Sequence, residues 1–101
     1  MQNATYAITA VRYAGNHVVE AMMGLIDSSD HRWDLRPAPT RLTEMVDRLV
    51  EGDTIISLFP DQRGGFEAGP EVKVDVLADA TEALALADEA PGRGLHDLPR
   101  F

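Results

Sequence analysis

The sequence predicts a single α+β domain in which an antiparallel sheet of about five strands packs against one helix near residues 41–51. Three observations lead to this prediction. The chain has 101 residues, which is room for one domain over 1–101 and not for two. One segment repeats apolar residues at helical spacing. Several short segments are rich in β-branched residues or alternate between apolar and polar residues, as strands do.

Residues 5–13 and 17–26 are expected to form a β-hairpin. The first run is rich in β-branched and aromatic residues, which favour strands. Gly15 and Asn16 supply a turn between the runs, because both residue types tolerate positive φ. The second run is apolar at most positions. A short helix would also allow that pattern, but the adjacent valines and Gly24 favour a strand.

Residues 31–35 are expected to add a short third strand, because apolar or aromatic residues alternate there with charged ones. Pro37 and Pro39 are expected to end this strand and to precede the helix. Thr40 is expected to be the N-cap residue of that helix.

The helix is predicted from apolar residues at the spacing i, i+3, i+4, i+7 and i+8, which places them on one buried face. These residues are Leu42, Met45, Val46, Leu49 and Val50. Gly52 is expected to end the helix, because a glycine readily adopts the left-handed conformation that follows many helices.

The second half of the chain predicts two further strands and one ambiguous segment. Residues 54–59 are expected to form a strand, 60–70 a loop, and 72–76 a strand with one exposed face. In residues 79–90 the alanine, leucine and glutamate content favours a helix, but the alternation at 83–87 favours a strand. The tail is expected to pack back on the core through Leu95, Leu98 and Phe101.

The charge balance argues against two classes of partner. The chain has 9 basic and 17 acidic residues and a net charge of -8 at pH 7. Nucleic-acid binding requires a basic patch, and an acidic protein is repelled by anionic membranes. No apolar run approaches the about 18 residues of a membrane-spanning helix, and residues 1–24 lack a signal-peptide pattern. We therefore expect a small acidic, soluble, cytoplasmic domain that binds neither nucleic acid nor membranes.

No arrangement of residues typical of catalysis or metal binding is recognised. The absence of cysteine excludes disulfides and thiol catalysis. No serine lies in a Gly-x-Ser-x-Gly motif, and the glycines of 60–70 are not followed by the lysine of a phosphate-binding loop. The acidic segment 27–34 does not match a calcium-binding loop. We expect no catalytic residue, cofactor or metal site, and the spacing leaves open whether His17, His31 and His96 meet.

The favoured functional hypothesis is a non-enzymatic protein-interaction module that acts through a strand edge or through the 17–26 strand. This strand carries apolar residues on both faces, and small domains rarely cover both. One face is expected to contact the helix. The other is expected to contact a protein partner or a second copy in a homodimer, unless the 31–35 segment folds over it. The face assigned to the partner consists of Val19, Met23 and Leu25.

The alternative hypothesis is a small-molecule-binding protein or a minor enzyme. Its pocket would lie near Trp33 and His31, with the 60–70 loop closing over the aromatic side chain. Replacing the loop separates the two hypotheses, because an interaction module would keep its partner and a pocket protein would lose its ligand.

Both ends of the chain carry a family resemblance. The last seven residues, Leu95–Phe101, are similar to the pattern Leu-x-x-Leu-Pro-Arg/Lys-Phe that ends the members of one family. Four earlier segments occur in the same order as in that family: Ile8–Arg12 with its Gly15 turn, the helix ending at Gly52, Ile55–Ile56 and Val72–Val74. Over nearly its whole length the chain resembles the bacterial family numbered 3892 among the domains of unknown function. The resemblance implies an antiparallel strand at 83–87. It implies no activity, cofactor or catalytic residue.

Overall fold

A mixed sheet and one helix form the architecture. The computed structural model describes residues 4–27, 29, 32–89 and 91–101. Within these residues the elements are β1 (Thr5–Ala14), β2 (His17–Ile26), β3 (Trp33–Arg41), α1 (Leu42–Val50), β4 (Thr54–Pro60), β5 (Phe66–Val76), β6 (Glu82–Leu86) and a 3-10 turn (Leu95–Asp97).

The six strands lie in the order β3-β2-β1-β4-β5-β6. β1 and β4 run parallel, whereas the other neighbouring pairs are antiparallel. The α+β class with one helix is therefore confirmed, whereas the sheet has six strands instead of about five, and it is mixed because the β1–β4 pair is parallel. The reason is the crossover through α1, which returns the chain to the far side of β1 and lets β4 align with it in parallel.

The third strand is longer than the sequence predicted. β3 continues through Pro37 and Pro39 to Arg41. A proline lacks the N–H that a central strand needs, but β3 is an edge strand with a neighbour on one side only. Thr40 is not the N-cap residue of the helix: its side chain is buried, and its hydroxyl donates to the Ala38 carbonyl at 3.0 Å.

The predicted helix is confirmed, and so is its end. Gly52 has a φ of 99°, and its N–H donates to the Leu49 carbonyl at 3.1 Å, while the Asp53 N–H donates to the Arg48 carbonyl at 3.0 Å. This pair of bonds is the Schellman motif that ends many helices.

The buried face of the helix is narrower than predicted. Met45 and Val46 are buried, and Leu42 and Leu49 are partly buried against the core. Val50 is 79% exposed, because at about 100° per residue it lies about 80° round the helix from Leu42, at the margin of the apolar stripe.

The expected 60–70 loop is mostly strand. β5 begins at Phe66, so the connection from β4 is the tight turn 61–65. Asp61 holds this turn: its Oδ1 atom accepts hydrogen bonds from the backbone N–H groups of Arg63 at 2.8 Å and Gly65 at 2.9 Å.

The ambiguous segment 79–90 contains strand β6, which pairs with the second half of β5. The first half of β5 pairs with β4. The change of partner occurs at a bulge at Gly69 and Pro70, where the buried Ser57 hydroxyl donates to the Pro70 carbonyl at 2.7 Å. The β5–β6 hairpin can therefore bend over the sheet and help to enclose the core.

The tail completes the core from the other end. The Val11 N–H donates to the Pro99 carbonyl at 2.8 Å, and the Phe101 N–H donates to the Val11 carbonyl at 3.3 Å. As expected, Leu95 and Leu98 are buried, whereas Phe101 is only partly buried. The core cluster comprises Ile8, Val11, Val18, Ala21, Met23, Met45, Ile55, Phe59, Val72, Leu84, Leu86, Leu95 and Leu98.

None of the helices in the described ranges has the length and apolar character that crossing a membrane requires.

Candidate interaction surface

A bulge in β2 decides which of its side chains face the core. Arg12 of β1 pairs with Glu20, but the next residue of β1, Tyr13, pairs with Val18. Val19 is therefore an extra residue in β2, and such a bulge interrupts the strict alternation of faces. As a result Val18, Ala21 and Met23 all belong to the core cluster, although strict alternation separates Val18 from the other two.

The predicted interaction face of Val19, Met23 and Leu25 is consequently divided. Met23 is 7% exposed and lies in the core, so it is not accessible to a partner. Val19 is partly exposed in a groove beside Leu42. Leu25 is partly exposed in a separate groove beside Tyr6, where the helix meets the edge strand.

The opposite side of the sheet carries a different apolar surface. In β4, Ile55, Ser57 and Phe59 are buried and point to the core, whereas Ile56 and Leu58 between them are only partly buried. Since cross-strand partners share a face of the sheet, the register extends this surface to neighbouring strands. We call it the open face; its partly or largely exposed apolar members include Ala10, Met22, Trp33, Ile56, Leu58 and Phe66. The register also places Ala7 and Ile26 on this face, and both are buried.

The rest of the fold packs on the other side of the sheet. Met45 of α1, Leu84 of the β5–β6 hairpin and Leu98 of the tail share one core cluster with Ile8 and Ile55. The helix, the hairpin and the tail therefore cover a single face. Among the described residues, no helix or hairpin packs on the open face, although Ala7 and Ile26 near its Trp33 corner are buried.

The open face is large and has aromatic residues at opposite corners. It spans four strand spacings, about 19 Å, and about 20 Å along β4. Phe66 is 49% exposed at one corner. At the other, Trp33 is partly exposed, and its ring lies over Gly24, where an added Cβ would be 2.7 Å from the Trp33 Cζ3 atom.

Charged residues border the apolar part of the open face. Arg12 and Glu20 are cross-strand partners there, and the Arg12 Nη1 atom lies 3.3 Å from the Glu20 Oε1 atom. The two charges compensate each other. A further carboxylate lies beside the strip formed by Met22, Ile56 and Leu58, because the exposed Glu71 of β5 is the cross-strand partner of Ile56.

Two components of the predicted pocket, Trp33 and the turn that remains of the 60–70 loop, lie far apart. Trp33 of β3 pairs with Ile26 of β2, Ile26 pairs with Thr5 of β1, and Thr5 pairs with Thr54 of β4. Trp33 therefore lies level with Thr54, at the start of β4. The turn 61–65 follows the far end of β4, six residues and about 20 Å beyond Thr54. The third component, His31, lies outside the described residues.

The turn itself borders an open groove of about 600 Å³. Arg93 contributes its guanidinium, which lies 5.1 Å from the centre of the Phe59 ring and pairs with Glu67 at 2.6 Å. The cation is thus held by one carboxylate and one aromatic ring. The remaining lining residues are Pro60, Asp61, Gln62 and Arg63.

Two of the three histidines lie on one groove. His17 at the β1–β2 turn and His96 in the 3-10 turn both line a groove of about 340 Å³, with Val18, Leu84 and Leu95 among its apolar lining residues. No linear spacing indicates this juxtaposition, because the sheet brings the two turns together. Within 4–27, 29, 32–89 and 91–101, no three His, Cys, Asp or Glu side chains are grouped as metal ligands.

The acidic segment 27–34 is described only in part. The Asp27 Oδ1 atom accepts hydrogen bonds from the Ser29 N–H at 2.8 Å and from the Ser29 hydroxyl at 2.6 Å. This carboxylate stabilises a local turn, as aspartates commonly do. Asp30 lies outside the described residues.

Comparison of the chain with protein-family models, curated protein sequences and solved structures found no match. The resemblance to family 3892 therefore stays a prediction, although the strand that it implies at 83–87 is present as β6. The open face is the feature from which a function can be inferred.

Proposed function

We propose that this chain is a non-enzymatic protein-interaction module that binds its partner through the open face. One observation carries the proposal: Met22, Ile56 and Leu58 form an apolar strip on a sheet face without a covering layer among the described residues. A sheet face that meets water normally carries polar residues at these positions. Apolar patches on a protein surface are often binding surfaces.

The composition of the open face supports a protein partner. Binding energy in protein interfaces is concentrated in a few residues, among which tryptophan and other aromatics are frequent. Trp33 and Phe66 place such residues at the two ends of the apolar strip. The Arg12–Glu20 pair supplies a polar rim, as is usual for interfaces between proteins.

The face is favoured over the β3 edge of the sheet as the binding site. An edge strand can recruit an extended peptide only through free N–H and C=O groups. At the β3 edge, Pro37 and Pro39 lack an N–H group, which is a common protection against strand addition. The proposal keeps the cytoplasmic location expected from the sequence.

Affinity capture from an extract of the cells that express the protein tests the proposal. Three baits are compared: the wild type, Leu58→Asp in the centre of the open face, and Val76→Asp as a matched control. Val76 is 70% exposed and lies at the end of β5, outside the open face. A protein bound stoichiometrically by wild type and Val76→Asp but not by Leu58→Asp is expected; a bound copy of the chain itself counts as such a protein.

Two outcomes would overturn the proposal: no protein bound through the open face, or equal binding by all three baits. Circular dichroism checks that Leu58→Asp is folded. Phe66→Ser, at the exposed rim, provides a second variant and is expected to weaken binding without affecting the core.

The turn variant distinguishes this function from the small-molecule alternative. Gln62→Ala combined with Arg63→Ala alters the groove at the turn and keeps the Asp61 and Gly65 groups that hold it. We expect unchanged partner binding. Loss of binding would favour a ligand site at the turn.

A further inference from the structure

We propose that the groove shared by His17 and His96, here called the histidine groove, binds a small primary amine with an apolar body. Its volume of about 340 Å³ lies within the usual range of small-molecule sites. Its described lining residues all differ from those of the open face, so the site is separate from the surface of the proposed function. Three properties carry the proposal: apolar walls, two acceptors that converge beside Gly94, and the sign of the surrounding charge.

The walls of the histidine groove are apolar because core side chains reach it. Val18 lies in β2, Leu84 in β6 and Leu95 in the 3-10 turn, and all three line the groove. Each also belongs to the core cluster. The apolar body of a ligand would therefore extend the packing of the core and lose its own contact with water, which stabilises the complex.

Two hydrogen-bond acceptors converge in this groove, beside Gly94. An added Cβ at Gly94 would lie 2.7 Å from the Glu89 Oε2 atom and 3.0 Å from the His96 Nδ1 atom. The other ring nitrogen of His96, Nε2, lies 3.5 Å from the Asp97 Oδ2 atom, which accepts a hydrogen bond from the Gly94 N–H at 2.9 Å. A carboxylate beside Nε2 favours the tautomer with the proton on Nε2, which leaves Nδ1 as an acceptor.

This pair of acceptors selects a ligand that carries donors and a positive charge. A primary ammonium has three N–H donors, so it can bond to the Glu89 carboxylate and to the His96 Nδ1 atom at once. An anionic ligand would place its charge against Glu89. A hydroxyl offers one donor and no charge, and hydrogen bonds between charged groups are stronger than neutral ones.

The charge around the histidine groove has the sign that attracts a cation. Its lining includes the carboxylates of Asp75 and Glu89 and, among the described residues, no Lys or Arg side chain. Lys73 lies 3.7 Å from Asp75 and compensates it in part. Arg100 stacks on Tyr13, but its Nη1 atom already donates to two backbone carbonyls at 3.1 Å. The net charge of -8 adds a long-range attraction for cations.

A metal ion fits the groove less well than an amine. Structural zinc sites have four protein ligands, and catalytic ones have three. Only Glu89 and His96 converge beside Gly94, and the part of the chain that the structure describes holds no group of three His, Cys, Asp or Glu side chains placed for a metal.

Two-dimensional NMR titration with hexylamine tests the proposal, with hexanol and hexanoate as ligands of matched length. Hexylamine is expected to give saturable shifts at the amides of Val18, Leu84 and Leu95, with a dissociation constant of about 1 mM or lower. Hexanol is expected to bind at least about tenfold more weakly, because it has no charge, and hexanoate is expected not to bind. Absence of saturable shifts with hexylamine, or equal affinity for hexanol or hexanoate, would overturn the proposal.

Three variants locate the site. Gly94 has a φ of -85°, which alanine adopts without strain, so the Cβ of Gly94→Ala would displace the Glu89 and His96 side chains and leave the backbone in place. Glu89→Gln removes the charge. Each is expected to raise the dissociation constant of hexylamine by about tenfold or more. Glu82→Gln is the control, because this exposed carboxylate of β6 lies outside the groove lining. A folded Glu89→Gln variant that binds like the wild type, or an equal loss in Glu82→Gln, would contradict the site.

A further comparison separates a free amine from the lysine side chain of a protein. Nα-acetyl-lysine amide carries the same ammonium but ends in polar amide groups, so it is expected to bind more weakly than hexylamine. Tighter binding of the lysine derivative would overturn the assignment to a small amine. Leu58→Asp in the open face is expected to leave hexylamine binding unchanged, so this proposal and the interaction function fail independently.

Discussion

At the scale of single residues, Gly24 controls the fit between β2 and the edge strand. An added Cβ would lie 2.5 Å from the Leu35 carbonyl oxygen and 2.9 Å from the Pro37 nitrogen. Both are backbone atoms, which cannot turn away as a flexible side chain can. The Trp33 ring covers the same position, so Gly24 also sets how closely this aromatic residue lies against the open face.

Gly24→Ala is therefore expected to lower the free energy of unfolding by about 1–3 kcal/mol, the usual cost of overpacking. Urea denaturation measures the change. Gly65→Ala is the control: its Cβ would be 3.4 Å from the nearest atom, an Asp61 carboxylate oxygen, and we expect a change within about 0.5 kcal/mol. Equal losses in the two variants would contradict the close packing of β3 on Gly24.

Asp79 provides a second test at this scale. Hydrogen bonds from the Thr81 side chain and from the Thr81 backbone N–H lower the pKa of this exposed carboxyl group below its usual value. Because the folded-state pKa is below the unfolded one, the stabilising contribution is present above the unfolded pKa. It is lost as the pH falls through the folded-state pKa.

Thr81→Val is expected to raise the pKa of Asp79 towards its usual value, because it removes the hydroxyl group. Thr81→Ser keeps a hydroxyl and is expected to keep the pKa low. Titration of the Asp79 carboxyl carbon by NMR measures both. An unchanged pKa in Thr81→Val would show that the hydroxyl does not contribute.

At the scale of elements, α1 stabilises the fold mainly through Met45. This side chain is fully buried, whereas Val50 in the same apolar pattern is 79% exposed. Met45→Ala is expected to lower the free energy of unfolding by about 2–5 kcal/mol. Val50→Ala is the matched control and is expected to change it by no more than about 0.5 kcal/mol. Comparable losses in denaturation experiments would place the helix in another orientation.

Local signals explain which elements the sequence predicts correctly. The helix depends on its own apolar spacing and on Gly52 after it, and both are contained within a few residues. The β1–β2 hairpin likewise depends on a local turn at Gly15. Such elements form for reasons that are visible in a short stretch of sequence.

Non-local relations explain what the sequence missed. Prolines such as Pro37 and Pro39 would end a central strand, but an edge strand tolerates them. Whether a strand lies at the edge depends on the whole sheet and not on the local sequence. Strict alternation placed Met23 on the partner face together with Val19. The bulge at Val19 interrupts this alternation, and Met23 lies in the core. The open face combines residues of five strands, so no single run of sequence indicates it.

At the scale of the whole molecule, the tail joins the core to the far half of β1. β4 pairs with β1 only as far as Ile8, and the tail forms a parallel bridge from Arg100 to Val11 beyond that point. The guanidinium of Arg100 lies 4.2 Å from the centre of the Tyr13 ring. The tail thereby takes the position beside β1 that β4 has left.

Leu98→Ala tests whether the tail is part of the cooperative core. Leu98 is 2% exposed, and its truncation is expected to lower the free energy of unfolding by about 2–5 kcal/mol in a single transition. Hydrogen exchange provides the second measurement, because the Val11 N–H is bonded to the Pro99 carbonyl. Rapid exchange of this N–H in the wild type would show that the tail detaches independently.

The open face is the centre of this account, and site-specific photo-crosslinking tests it most directly. A photoreactive amino acid is introduced at position 58, in the open face, and in a separate sample at position 76, outside it. At position 58 we expect a covalent adduct with a protein partner, and no comparable product at position 76. Absence of any protein adduct at position 58, or equal yields at the two positions, would contradict the account.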